Sequence, residues 1–288
     1  METLFRWSKF VDEKHLEDWE IRLIMAEVVY TLEKQVKRKN WQISSYLTTR
    51  AHADEIRELY GGGVTEVRPD DWQPMAEIGA KTRLKIRDTL VVTEAEDEAI
   101  WASVKAEFAD RIVLSFPPQL AFGTGGHQTT ASCLRFLVDA AKTREEEKWR
   151  LLDLGCGSGI LAVAAVLMGA REAVAVENDP LALKYARLNA ERHGVADKIQ
   201  YVEGDAIALT ESCAFGQFEM VAANLFSDLL IQLFPYFPDN LLAGGDVIVS
   251  GFLTSQTRSV AQRAESVDLP LADFQRRGKW VAAHGNKP

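Results

Sequence analysis

From about Arg111 onward the chain repeats one pattern, a short apolar run rich in branched residues followed by a stretch with helical spacing. The runs read RIVLSF, RLLDLG, EAVAVE, IQYVEG, EMVAANL and DVIVSGF, each bounded by polar or glycine positions. The helical stretches fall at 128–141, 158–169, 180–193, 226–242 and 255–265. Strands alternating with helices form right-handed β-α-β units, which bury a mainly parallel sheet under helices on both faces. The expected fold class is α/β, a doubly wound, mainly parallel, seven-stranded sheet. The chain then carries two strand-like pieces, Leu271–Arg276 and Lys279–His284, around Arg277-Gly278. That spacing suits a hairpin placing an antiparallel strand on the sheet.

The front of the chain lacks this rhythm. Between His15 and Lys37, Leu16, Trp19, Leu23, Ala26, Val29 and Tyr30 recur at helical spacing, which predicts one long helix. Trp41–Leu47 reads as a strand, and Thr48 or Thr49 can cap a short helix that stops at Gly61-Gly62-Gly63. Thr82 to Thr93 suggests a hairpin turning near Arg87-Asp88. The expected organisation is a small α+β domain over 1–93, a linker helix over 94–110 and the α/β domain over 111–288.

Composition narrows the function. No apolar run reaches the ~20 residues of a membrane helix. The first fifteen residues scatter charges where a secretory signal needs an apolar core, so a cytoplasmic location and no membrane partner are expected. Cys133, Cys156 and Cys213 form no CxxC pair, which argues against a disulfide framework or a structural zinc site. A formal net charge of -9 argues against direct nucleic-acid binding, which needs a basic face.

Ligands of an open parallel sheet bind beyond the carboxyl ends of its strands, near the point where strand order reverses. The residues closing these strands are Asp153 with Gly155, then Glu177, Asp205, Asn224 and Ser250. LLDLGCGSGI places Gly155, Gly157 and Gly159 between a strand and a helix, where glycine permits a sharp turn and close ligand approach. A dinucleotide fingerprint needs its third glycine at 160, where this chain has Ile160. Glu177 closes the next strand, placed to accept hydrogen bonds from two ribose hydroxyls. Asp179 with Pro180 reads as a helix cap. Asp205 can accept from an adenine amino group or serve as a turn residue bonding its own backbone. The ordered set points to an adenosine-bearing ligand without a diphosphate, and S-adenosylmethionine fits.

Residues 120–130, LAFGTGGHQTT, precede the first helix of the α/β pattern. Thr129 or Thr130 at its start can cap it or receive an amino-acid carboxylate. His127 can act as a base or as an orienting hydrogen-bond partner, and no second and third ligand accompany it for a metal. Asn224 in VAANLF offers a neutral amide, able to orient an amine without a salt bridge that would keep it protonated, or to satisfy a turn.

With these residues the chain resembles the PrmA family of bacterial methyltransferases, which trimethylate amino groups of large-subunit ribosomal protein eleven. The similarity runs from about Arg111 onward through LAFGTGGHQTT, LLDLGCGSGILAVAA, AVAVENDPLAL, VAANL and KWVAAHG. The first two motifs together are specific, whereas the glycine turn alone occurs across methyltransferases. The resemblance implies a class I methyltransferase-like fold. It implies S-adenosylmethionine bound through Thr130, Gly155, Glu177 and Asn224, and a target-amine pocket lined by Phe122, Thr124 and His127. Asp153, Gly157 and Asp205 join the cofactor set through their places at strand ends and in the turn. The implied partner is a protein substrate, a ribosomal one in the family, methylated on lysine or N-terminal amines. Methylation of another protein or a small molecule, and cofactor binding without turnover, are the alternatives.

Three features depart from the family pattern. Pro117-Pro118-Gln119 stands where the family has Asp-Pro-Gly, and Glu177 where Asp is common. The front section matches the family's ferredoxin-like substrate-recognition domain only through SYLTTRAHADEIRELYGGGVTEVRPDDW.

Overall fold

Strand Leu4–Asp12 (β1) has one buried side and one open side, with Trp7 and Val11 buried and Phe10 exposed. It begins the computed structural model, which describes residues 4–26, 28, 30–34, 40–67, 83–117, 127–144 and 148–288. The described chain forms two compact units, Met1–Glu77 and Ile78–Pro288.

In the first unit β1 leads through the Leu16–Met25 helix to strands Thr31–Lys34 (β2) and Asn40–Leu47 (β3). The Arg50–Tyr60 helix and strand Gly63–Val67 (β4) follow. Their order, β2-β3-β1-β4 with antiparallel neighbours, is the ferredoxin-like arrangement. Thr49 caps the second helix by accepting the His52 amide at 3.3 Å, and Gly61 ends it at φ 68°. The Trp7 indole donates to the Gly61 carbonyl at 2.7 Å, fixing the helix end to β1. The long helix expected over 15–37 stops at Met25. The branched and aromatic run Val28–Thr31 favours extended backbone, and Thr31–Lys34 pairs with Ser44–Trp41 of β3. Local helical spacing did not reveal that distant partner.

The second unit opens with the expected hairpin, Leu84–Ile86 (β5) and Leu90–Thr93 (β6), turning at Arg87. Strand Ile112–Ser115 (β7), expected in the large sheet, pairs parallel with β6 and makes a separate three-stranded sheet. The Glu98–Glu107 helix, within the segment read as a linker, is the crossover of this β-α-β unit. Asp97 caps it, and Trp101, Val104 and Phe108 cover Val91 and Val113. The opposite face of the small sheet, with Leu90, Val92 and Leu114, joins the core beneath the Gln128–Ala141 helix. The division at 77/78 thus lies ahead of this hairpin, because its strands need β7 to complete their sheet.

The large sheet comprises Arg150–Leu154 (β8), Glu172–Glu177 (β9), Ile199–Glu203 (β10), Phe218–Asn224 (β11), Leu241–Leu253 (β12), Leu271–Arg277 (β13) and Trp280–Asn286 (β14). Its seven strands run in the order β10-β9-β8-β11-β12-β14-β13. All neighbours are parallel except β14, which is antiparallel to both β12 and β13. Alternate residues serve opposite faces, as a pleated strand requires. Leu151, Ala173, Ala222 and Ile248 pack with the Gln128–Ala141, Ile160–Leu167 and Pro180–Arg192 helices. Leu152, Val174, Val221 and Val249 pack with the Ser227–Leu233 and Thr257–Glu265 helices. Both faces are buried, so the sheet is doubly wound. Among the described residues, no helix is long and apolar enough to cross a membrane.

Leu152 is 1% exposed at the middle of β8, an interior strand of the large sheet. Leu152→Ala should cost about 2–5 kcal/mol of stability through lost burial and an unfilled cavity. Urea unfolding measures this, and a cost below about 1 kcal/mol would contradict the packing.

Candidate active site

The strand order reverses between β8 and β11, because the chain runs outward through β9 and β10 before returning. A crevice at that reversal is the expected ligand position in such a sheet. The glycine turn leaves β8 there, with Gly155, Gly157 and Gly159 at φ 67°, 52° and 77°. A Cβ on Gly155 would stand 2.4 Å from Leu225 Cδ2, and one on Gly159 would stand 3.0 Å from Ala186 Cβ. The first glycine lets the turn close over the end of β11, and the third lets two helices approach. Gly155 and Cys156 both donate their amides to the Val176 carbonyl, at 2.9 and 3.0 Å.

Glu177 closes β9 beside this turn. Its Oε2 accepts the Gly157 amide at 2.9 Å, while Oε1 accepts those of Asn178 and Asp179 at 2.9 and 3.1 Å. The carboxylate is therefore held rigidly, and hydrogen bonds to a charged acceptor are the strong kind. Asp179 caps the Pro180–Arg192 helix through the Leu181 amide. Asp205, beyond β10, accepts the Ile207 amide at 2.7 Å and caps the Ala206–Glu211 helix. It is exposed at the next strand end along from Glu177.

Asp153 is 1% exposed on the face beneath the Gln128–Ala141 helix, and its Oδ2 has no hydrogen-bond partner among the described residues. Burial pushes its pKa up to about 7, with the Glu177 charge adding to the rise and a bond from the Ala162 backbone opposing it. The buried Cys133 thiol is pushed up to about 12 by its own burial and by Asp153.

Asn224 closes β11. Its Nδ2 donates to Thr130 Oγ1 at 3.4 Å, while its Oδ1 is buried without a partner among the described residues. Thr130 is itself 1% exposed in the first turn of the Gln128–Ala141 helix. The cap of that helix is His127, not either threonine. Its Nδ1 accepts the Thr129 amide at 3.4 Å and lies 2.7 Å from the Thr129 hydroxyl. Burial lowers the His127 pKa to about 4, so the imidazole is neutral at neutral pH. Its ring meets Trp280 edge-on, centroids 5.4 Å apart. Trp280 belongs to the KWVAAHG motif, but only the antiparallel return of β14 carries it to His127.

The structure therefore joins Gly157 to Glu177 and Thr130 to Asn224 by direct hydrogen bonds. Asp153 stands on β8, between β9 and β11, with Gly155 just beyond its end, and Asp205 lies one strand further out. Phe122 and Thr124 fall outside the described residues. An acidic strand end, a glycine turn and a neutral amide in one crevice can hold a nucleoside and orient a small polar group. The buried, unpartnered oxygens of Asp153 and Asn224 are acceptors that a ligand with donors would satisfy.

A family model described as "Ribosomal protein L11 methyltransferase (PrmA)" matches residues 10–288. A ribosomal protein L11 methyltransferase of Pelotomaculum thermopropionicum is 37% identical over 182 residues, 63% of this chain and 56% of the relative. One of Symbiobacterium thermophilum is 32% identical over 240 residues, 82% of this chain and 73% of the relative. A solved ribosomal protein L11 methylase of Lactobacillus delbrueckii subsp. bulgaricus shares the fold, with a TM-score of 0.58 at 23% identity, over 71% of this chain and 98% of that one. The matched stretch spans 56% of the length of the Pelotomaculum and Ralstonia pickettii relatives alike.

The Asp153 carboxyl gives a stability signature. Its pKa rises from 3.8 to about 7 on folding, so the folded protein holds this proton more tightly than the unfolded chain. Ionising it therefore removes stability as pH climbs from about 4 to about 7. The stability of Asp153→Asn relative to wild type should grow across that interval in urea unfolding. A difference that stays constant with pH would show that Asp153 ionises as it does in water.

Proposed function

The chain belongs to the ribosomal protein L11 methyltransferase (PrmA) family, and from that premise we propose that it transfers methyl groups from S-adenosylmethionine to amino groups of a ribosomal protein. The observation carrying this reading is the Thr130–Asn224 pair at the end of β11, whose amide oxygen has no partner among the described residues, one strand from the glycine turn bound to Glu177. A carboxylate at one strand end and an open amide acceptor at another suit a nucleoside and an amine, respectively.

When bound, S-adenosylmethionine would supply an electrophilic methyl on a sulfonium for a deprotonated amine to take up. Glu177 would receive the ribose hydroxyls, Asp205 the adenine amino group, and Asp153, Gly155, Gly157 and Thr130 the remainder of the cofactor. Asn224 would accept an N–H of the incoming amine and aim its lone pair, since in-line orientation is the main demand of the step. A neutral amide does this without the ion pair that would hold the amine protonated. His127, neutral and part-buried, would line the amine pocket with Phe122 and Thr124 as an orienting group. The first unit, with its ferredoxin-like order, would select the protein substrate. A ribosomal acceptor implies a cytoplasmic enzyme.

S-adenosylmethionine should raise the melting temperature while NAD should not; no response to S-adenosylmethionine would count against the reading. Glu177→Ala removes charge-assisted bonds worth about 1.5–3 kcal/mol and should weaken cofactor binding by about tenfold or more. Unchanged affinity in calorimetry would take Glu177 out of the site. Asn224→Ala should lower turnover by about tenfold or more while leaving the thermal midpoint near wild type. The acceptor is tested by labelled methyl transfer into purified L11 and into an extract of cells lacking the enzyme. Label in another protein, with none in L11, would transfer the chemistry to a different substrate.

A further inference from the structure

Strand β12 carries an irregularity at the level of the site to which the proposed chemistry gives no role. Its pairing with β14 sets Ser250 opposite Ala282 and then Phe252 opposite Val281, so Gly251 is an extra residue without a counterpart on β14. Two residues against one is a β-bulge, which bends a strand and re-aims the side chains beyond it. The core records the effect. Alternation from Ile248, which packs with the Gln128–Ala141 helix, would send Phe252 to the same face. Phe252 packs instead with Val249 and Val281 on the opposite face, at 0% exposure.

Glycine meets two demands at the bulge. Gly251 has φ 91°, a left-handed conformation that residues with a Cβ rarely adopt. A Cβ at this position would also stand 2.5 Å from the Leu225 carbonyl oxygen, 2.8 Å from its carbonyl carbon and 3.1 Å from its nitrogen. All three are backbone atoms, which cannot swing aside as the tip of a side chain can. Ser250 fastens the bulge on both flanks. Its carbonyl accepts the Leu225 amide at 2.9 Å, and its hydroxyl donates to the Val281 carbonyl at 3.0 Å.

Leu225 directly follows Asn224, which is paired with Ser250 at the end of β11. On its other side Leu225 lies against the glycine turn, where a Cβ on Gly155 would stand 2.4 Å from its Cδ2. The residue next to the Asn224 amide is thus lodged between two glycines, one just beyond β8 and one on β12, the two strands that flank β11.

We infer that Gly251 is a positioning residue for methyl transfer, its bulge fixing the Asn224 amide relative to the glycine turn. This rests on the methyltransferase reading above. An amine aimed by Asn224 has to stay in line with the methyl it receives, and misplacement by about 1 Å can cost about a hundredfold in rate. The competing account is a glycine that merely lets β12 fold.

Gly251→Ala and Gly244→Ala in the full chain separate these accounts. Gly244 lies on the same strand at φ 72°, and a Cβ there would meet nothing within 4 Å. Both variants place a side chain at positive φ, but only the first presses on Leu225. For each, three quantities are measured: kcat and KM for L11, the S-adenosylmethionine Kd by calorimetry, and the Asn224 side-chain amide signal by NMR, assigned from Asn224→Ala. Gly251→Ala should lower kcat by about tenfold or more and shift the Asn224 signal, while the cofactor Kd stays within about threefold. Gly244→Ala should keep the wild-type kcat and leave the signal in place. Should Gly251→Ala not fold, Ser250→Ala, which deletes the hydroxyl bond across the bulge, is read in the same way. A wild-type kcat or an unmoved Asn224 signal in the bulge variant overturns the positioning role alone. So does an equal loss of kcat in Gly244→Ala, or a loss of kcat matched by a loss of cofactor affinity. Wild-type protein that methylates no L11 overturns the function reading, and this inference with it.

Discussion

The arrangement of the site depends on how the backbone leaves β8. Gly155 and Cys156 turn both their amides onto the Val176 carbonyl, and Gly157 gives its amide to Glu177. This folds the end of β8 across the end of β9, which positive φ at glycine makes inexpensive. A side chain at Gly155 would meet Leu225, and one at Gly159 would push the next helix away. The same few hydrogen bonds thus set the turn, the Glu177 carboxylate and the approach of the Pro180–Arg192 helix.

Polar groups in the crevice gain their character from burial. Asp153 and His127 carry opposite charges when ionised, yet burial favours the neutral form of each, raising one pKa and lowering the other. Asp153 Oδ2 and Asn224 Oδ1 lie buried without partners among the described residues, an arrangement that costs stability in a plain core and suits a ligand site. The two apolar layers, one on each face of the sheet, offset that cost. Alanines dominate where helices must come close, as at Ala162, Ala164, Ala165, Ala186 and Ala190.

The small sheet β5-β6-β7 lies between the crossover helix and the larger core. Its last strand is gripped at Ser115 by His193 and Arg192, at the far end of the helix that begins beside Glu177. The first unit carries its own core around Trp7, Leu23, Ile43 and Ile56.

Features set by neighbours in the chain were legible in the sequence. Short apolar runs rich in branched residues marked β8 to β12 and two strand-like pieces marked β13 and β14, helical spacing marked the helices between them, and glycines at 155, 157 and 159 marked the turn. Glu177, Asp205 and Asn224 were visible as strand ends for the same reason. Tertiary structure decided what rested on distant partners. It paired Thr31–Lys34 with β3 where local spacing continued a helix, and it gave β7 to β6 instead of the large sheet. It made His127 the cap of its helix while drawing Thr130 to Asn224, and it brought Trp280 to His127 and Asn189 to Ser158. Periodicity records which face of an element is apolar, but strand pairing and side-chain contacts depend on segments that meet only once the chain has folded.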